Sequence, residues 1–282
     1  MRLREWENQA SARLQTAGAD SPRLCAQLLL GHVLQLDRLG CVLEAQRALS
    51  PDELAALAAL EARRAAGEPL AHILGRREFY GRDFRVSPAI LIPRPETELL
   101  VDCALELLPA AAPLFFADLG TGSGCIGISL ACERPHWHGL ALELDAAAVA
   151  VAQGNAHSLN VSQQLACIRG DLAAVPLAAA SCGLVVSNPP YIAEAERAQV
   201  MPEVLRYEPH TALFAPQQGL ALLQAATKEA WRLLRPGGLL LLEHGAAQGV
   251  AVQNILHAQG CVGVDTRPDL AGLDRCTLGY KP

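Results

Sequence analysis

The sequence predicts an α/β protein: a largely parallel, doubly wound sheet with a small N-terminal helical domain. Three observations carry this. From Leu114 onward short apolar runs ("LFFADLG", "GLALEL", "LACIRGD", "GLVVSN") alternate with helix-like stretches such as "AAAVAVAQGNAHSL". That is the grammar of strand–helix–strand units joined by right-handed crossovers. A glycine-rich turn, "GTGSG", follows the first of these runs, and the residues up to about 75 carry helix signals instead.

In chain order, "SPRLCAQLLLGHVL" offers Ser21 as an N-cap and Pro22 at the first helical position. "SPDELAALAAL" repeats the device with Ser50 and Pro51, and Glu53 completes a capping box. Gly67 and Pro69 stop the third helix. Residues 1–75 therefore form a helical bundle too short to bury much by itself. "REFYGRDFRVSP" alternates aromatic and polar positions around Gly81, which predicts a β-hairpin linker over 76–90. "IPRPETELLVDCALELL" opens the large domain, 91–282, with a proline-started helix whose first turn carries Glu96 and Glu98. "GLLLLEHG", "AAQGVAVQNILHAQG", "CVGVDT" and "DRCTLGY" then add a strand, a helix and two strands.

Composition narrows the function. Of the 282 residues, 51% are hydrophobic, ample for a core, and the formal charge is −6. A duplex-binding protein usually carries a basic excess, so direct nucleic-acid binding is not expected. The run "AALAALEARRAA" is broken by Glu61, Arg63 and Arg64, and no membrane span is expected. The N-terminus has no apolar signal region and reads as mature protein, with a cytoplasmic location as the default. Nine cysteines without a CxxC pair read as small buried hydrophobes in a reducing compartment. "HWH" reads as a surface loop, with no partners at metal-ligand spacing.

In open α/β sheets ligands bind beyond the carboxyl ends of the strands. The loop after Asp118, the strand end at Glu143, the turn at Asp171 and the stretch after Asn188 should then share one rim. Gly122-x-Gly124-x-x-Gly127 formally matches a dinucleotide fingerprint, with Glu143 about twenty residues on. Asp118, however, places a carboxylate where a pyrophosphate would be repelled, and Gly120 widens the loop. S-adenosyl-L-methionine suits it better. Asp118 would receive the ammonium, the backbone of Gly120, Thr121, Gly122, Ser123 and Gly124 the amino-acid moiety, and Glu143 the ribose hydroxyls. In "RGDL", Asp171 could accept from an adenine amino group while Leu172 packs the ring; a plain turn carboxylate is the alternative.

"SNPPYI" ends its strand abruptly. Two prolines remove backbone donors and stiffen the chain, so Asn188, Pro189, Pro190 and Tyr191 form a non-helical shelf. The Asn188 side-chain oxygen and the Pro189 carbonyl are two acceptors for the hydrogens of one NH₂ group, and the Tyr191 ring can pack over the planar group that carries it. Methyl transfer needs such aiming more than it needs a strong base.

"DLGTGSG", an acidic strand end and "NPPY" together resemble the methyltransferases that act on planar nitrogens. With "EFYGRDFRV", "LIPRPETE", "RYEPHTAL", "RPGG" and "DLAGLDRCTLG", nearly the whole chain resembles the HemK/PrmC family. The resemblance implies a Rossmann-like class I methyltransferase sheet and S-adenosyl-L-methionine as cofactor. It also implies a peptide-chain release factor as partner, methylated at N5 of the glutamine in Gly-Gly-Gln. It assigns Gly120 to Gly124, Glu143, Leu172 and Asn188 to the cofactor, and Asn188 to Tyr191 to the glutamine. Three positions depart from the family's habit. Glu143 stands where Asp is common, Leu172 where an aromatic is frequent, and "APQQGL" replaces a glycine/aspartate-rich turn. The alternatives are the same chemistry on a ribosomal-protein glutamine or a nucleic-acid base, and then a dinucleotide-binding oxidoreductase.

Overall fold

A computed structural model describes all 282 residues. Five helices come first: α1 (Leu3–Thr16), α2 (Pro22–Leu34), α3 (Arg38–Leu43), α4 (Pro51–Ala65) and α5 (Leu70–Leu74). The hairpin is β1 (Arg76–Phe79) and β2 (Arg82–Arg85). Then come a 3₁₀ turn (Pro95–Thr97), α6 (Glu98–Leu107), β3 (Leu114–Leu119), α7 (Cys125–Glu133), β4 (Trp137–Glu143) and α8 (Ala146–Ser158). β5 (Leu165–Arg169), β6 (Cys182–Ser187), α9 (Pro202–Tyr207), α10 (Ala221–Leu233) and β7 (Leu234–Glu243) follow. The chain closes with α11 (Gly249–Gln259), β8 (Val262–Pro268) and β9 (Asp274–Tyr280).

The chain divides into two compact units: Met1–Arg76 with Pro202–Tyr207, and Arg77–Met201 with Glu208–Pro282. Sequence pattern places α9 in the large domain; in the structure it packs with the first unit. Tertiary pairing decides this. Glu203 binds the buried Arg64 guanidinium at 3.0 Å, and the Tyr207 hydroxyl donates to the Ala66 carbonyl at 3.3 Å. The core of this unit is Leu3, Trp6, Leu29, Leu30, Leu57 and Ile73.

Ser50 caps α4 as the sequence predicts, its hydroxyl accepting from the Glu53 amide at 3.2 Å while Glu53 accepts from the Ser50 amide at 2.8 Å. Ser21 does not cap α2. Its backbone is left-handed (φ 47°), whereas a capping side chain works from the extended region. α3 has no strong sequence signal; Asp37 starts it, accepting from the Gly40 amide at 2.7 Å.

In the second unit Tyr80 (φ 51°) and Gly81 (φ 71°) make the two-residue turn of the hairpin. The sheet order is β5-β4-β3-β6-β7-β9-β8, and only β9 runs antiparallel to its neighbours. Successive strand residues alternate between two cores. Phe116, Leu184, Val186, Leu239 and Leu241 face one, and Ala117, Leu119, Val185, Leu240 and Leu242 face the other. "HWH" is not a surface loop: Trp137 is fully buried and begins β4, paired with Leu114. Burying an indole outweighs the polar character of its neighbours. Strand order reverses between β3 and β6, where Leu119 pairs with Ser187, and that is where an open sheet leaves a crevice.

Candidate active site

β3 delivers Asp118 and the glycine loop to the crevice. Gly120, Gly122 and Gly124 have φ of 74°, 56° and 84°, a region costly for residues with a β-carbon. A β-carbon on Gly120 or Gly122 would meet nothing within 4 Å, so that side of the loop is open. The Gly120 and Thr121 amides both donate to the Leu142 carbonyl, at 2.8 and 3.0 Å, which holds the loop against the end of β4.

Asp118 is fully buried. Its Oδ2 accepts from the Thr121 hydroxyl at 2.5 Å and the Gly127 amide at 3.0 Å, while Oδ1 has no partner. Burial pushes its pKa up to about 6, against the two hydrogen bonds that work the other way. An orphaned carboxylate oxygen beside an open glycine loop fits a cationic group. Asn155, also buried, braces the loop. Its Nδ2 donates to the Ser123 carbonyl at 2.8 Å, and its Oδ1 accepts from the Arg85 amide of β2 at 2.8 Å.

Glu143 ends β4 half-buried. Its Oε2 accepts from the Gly122 amide at 3.0 Å, and its Oε1 from the amides of Leu144 and Asp145 at 2.7 and 3.2 Å. These bonds anchor it; Oε1 already accepts two hydrogens, and Oε2, with one, keeps acceptor capacity. Asp171 is exposed and accepts from the Ala173 amide at 2.9 Å, which is the turn role. Leu172 beside it is half-buried against the second core.

The shelf leaves β6 next to this loop. The Ser187 hydroxyl donates to the Leu119 carbonyl at 2.6 Å, closing the crevice floor. Asn188 Nδ2 donates to the Thr97 hydroxyl at 3.2 Å. Pro189 is buried and Pro190 half-buried. Tyr191 donates its hydroxyl to Glu243 Oε1 at 3.2 Å, and its carbonyl accepts from Gln248 Nε2 at 2.9 Å. Burial and the Glu243 charge raise the pKa of that phenol, so it stays neutral. Its ring is therefore anchored at both ends of the residue.

Three supports escape sequence reasoning. Glu208, from "RYEPH", is buried and accepts from the Ile92 amide at 3.0 Å and Arg94 Nη2 at 2.6 Å. It fixes the "IPRP" stretch that leads to Thr97. Glu243 ends an all-leucine run in β7, buried, with Oε2 unpartnered. Gln248 reaches back from the start of α11. Only Glu243 left a local signal, a carboxylate closing an apolar strand. His244 beside it is buried against Thr277 at 2.8 Å, away from any open surface.

The sheet order, the antiparallel β9 and the loop and shelf at the switch point are those of the class I methyltransferase fold. Residues 5–75 match the PrmC N-terminal domain and residues 97–211 the methyltransferase small domain. The chain belongs to the release factor glutamine methyltransferase family. It is 46% identical to the release factor glutamine methyltransferase of Nitratidesulfovibrio vulgaris, over 94% of this chain and 90% of that one. It is 45% identical to that of Cereibacter sphaeroides, over 100% and 99%, and 42% identical to that of Vibrio cholerae, over 96% and 94%. In fold it is similar to a methyltransferase from Pyrococcus furiosus (TM-score 0.54, 16% identity, 78% and 97% covered). The hMettl16 catalytic domain in complex with a MAT2A 3′UTR hairpin shares that fold (TM-score 0.56, 18% identity, 79% and 80% covered).

Proposed function

We propose that this protein moves a methyl group from S-adenosyl-L-methionine to the side-chain amide nitrogen of the glutamine in the Gly-Gly-Gln motif of peptide-chain release factors. Family membership supports the substrate class. The observation that carries the chemistry is the Asn188 amide, fixed by Thr97 on a proline-stiffened shelf next to the orphaned Asp118 carboxylate.

The cofactor, when bound, supplies an electrophilic methyl on a sulfonium. Asp118 Oδ1 would receive its ammonium, Gly120 to Gly124 would line its amino-acid portion, and Glu143 would accept from the ribose hydroxyls. Leu172 would pack the adenine; Asp171, already used in its turn, has one oxygen left for the adenine amino group. On the substrate side Asn188 Oδ1 and the Pro189 carbonyl would each accept one amide hydrogen. An amide nitrogen is a weak nucleophile with its lone pair in conjugation. Two acceptors in the amide plane point that nitrogen across the crevice and favour the positive charge it gains in transfer. Pro190 keeps the shelf rigid and Tyr191 walls it. The methylated nitrogen is strongly acidic and loses its proton without a dedicated base.

No helix is long and apolar enough to cross a membrane. We place the reaction in the cytosol, with a protein rather than a nucleic acid as partner. The net charge of −6 and nine unpaired cysteines support that reading.

The test is single-turnover methylation of a release factor beside the same factor with its Gly-Gly-Gln glutamine changed to alanine. Methyl incorporation only into the first, at one amide by mass spectrometry, is expected. Equal incorporation into both overturns the proposal.

A further inference from the structure

Two prolines make a stiff shelf but strip it of tethers. Pro189 and Pro190 have no amide hydrogen, so the stretch is held through carbonyls, side chains and the peptides that follow. The Tyr191–Ile192 peptide is fixed at both ends. Its amide, on Ile192, donates to the Leu213 carbonyl at 3.0 Å. Its carbonyl, on Tyr191, accepts from Gln248 Nε2 at 2.9 Å.

Gln248 has only one way to sit. Its Oε1 accepts from the Gly245 amide at 2.9 Å, and an N–H can only donate, so the oxygen must face Gly245. Nε2 then carries its hydrogens to two carbonyls, Tyr191 and, at 3.3 Å, Gln218. Carbonyls only accept, which forbids the reversed amide a second time. One side chain at the start of α11 thus joins the loop after β7, the shelf and the "APQQGL" turn. The fit is close. A β-carbon on Gly219 would lie 2.7 Å from Nε2, and one on Gly245 would lie 3.2 Å from Oε1.

We propose that Gln248 is a positioning residue for methyl transfer: by pinning the Tyr191 carbonyl it sets the direction of the Pro189 carbonyl and the pose of the Tyr191 ring. A planar peptide held at both ends cannot turn, and the Pro190 ring locks the φ that leads back to Pro189. The ring is held from the same corner, its hydroxyl on Glu243 at 3.2 Å. Without Gln248 the shelf keeps its acceptors and loses their aim. The inference rests on the reading of the shelf as the substrate clamp, and the test separates the two.

Single-turnover methylation of a release factor at saturating cofactor is measured beside calorimetric cofactor affinity. Gln248→Met keeps the length and removes the hydrogen bonds. It should slow transfer about tenfold or more, with cofactor affinity within about twofold. Gln248→Glu adds a signature that lost packing lacks. Its carboxylate would oppose the Tyr191 and Gln218 carbonyls, whereas its protonated form has a hydroxyl to donate. Its rate relative to wild type should therefore be lowest at pH 8 and rise roughly threefold or more by pH 6. The other ionisable groups around this corner are Tyr191, Glu243, His244, Asp274 and Arg275. Both proteins carry them, so the ratio removes their titration. A wild-type rate in Gln248→Met, or a Gln248→Glu deficit that stays flat between pH 6 and 8, overturns the positioning role while Asn188→Ala is slow. A wild-type rate in Asn188→Ala overturns the clamp itself, and this role with it.

Discussion

Gly219 lies flat against Tyr191: a β-carbon on Gly219 would collide with the Tyr191 carbonyl oxygen, and its φ of 82° suits glycine alone. The same carbonyl accepts from Gln248, whose Nε2 also donates to the Gln218 carbonyl at 3.3 Å. The "APQQGL" turn, with Gln217 and Gln218 also at positive φ, is therefore the outer wall of the shelf. Gly219→Ala should displace the shelf, because the obstacle is backbone and cannot rotate away. Methylation should fall about tenfold or more while cofactor affinity holds, and stability should drop by roughly 1–3 kcal/mol. An Ala variant with unchanged rate and melting temperature would contradict that packing.

Asn188→Ala removes one of the two proposed acceptors. Loss of a positioning hydrogen bond at a developing charge carries roughly 10²–10³ in rate. Rapid-quench methylation should show that loss, and calorimetry a much smaller change in cofactor affinity.

Glu143→Ala should weaken cofactor binding about tenfold or more, the size of a lost hydrogen bond to a charged group. Asp118 adds a pH signature. Its carboxyl, raised to about 6 in the free protein, must be ionised to attract an ammonium. Cofactor affinity should therefore be level above about pH 7 and fall as pH drops through 6. Asp118→Asn should bind weakly with that slope gone. Titration calorimetry between pH 5 and 8 reads both.

Glu243 links stability to pH in the opposite sense from an ordinary paired carboxylate. Burial raises its pKa to about 7 from an unfolded value near 4.5, with Thr97, Arg275 and Tyr191 opposing the shift. Between those values the folded chain binds more protons than the unfolded one. Stability therefore falls as pH rises from about 4.5 to 7, and the full cost remains above 7. Glu243→Gln removes that cost. It should be more stable than wild type at pH 8, by on the order of a few kcal/mol, and show little difference at pH 4.5. Denaturant titrations at the two pH values check this.

Part of the fold was legible in local sequence. "GTGSG" announces a loop because its glycines occupy left-handed φ, and "NPPY" announces a strand end because proline cannot pair. Ser50 and Glu53 cap a helix three residues apart. The misread features depend on partners far along the chain. Arg94 and Glu208 meet across more than a hundred residues, as do Arg64 and Glu203. No local pattern shows that Thr97 faces Asn188, or that Trp137 is covered by the sheet and its helices. Ser21 failed for a conformational reason, since Ser-Pro is compatible with a cap but does not enforce the extended backbone a cap needs.

The placement of α9 has a consequence for how such a protein can be taken apart or rebuilt. The chain leaves the sheet-bearing unit ten residues after Tyr191, lends one helix to the N-terminal unit, and returns at Glu208, whose carboxylate holds Ile92 and Arg94. The two units are thus stitched at three crossings rather than strung on one tether. A cut at the hairpin would part Met1–Arg76 from the Pro202–Tyr207 helix that clusters with it. Grafting a foreign recognition domain onto this scaffold would need both segments exchanged together, as a discontinuous cassette.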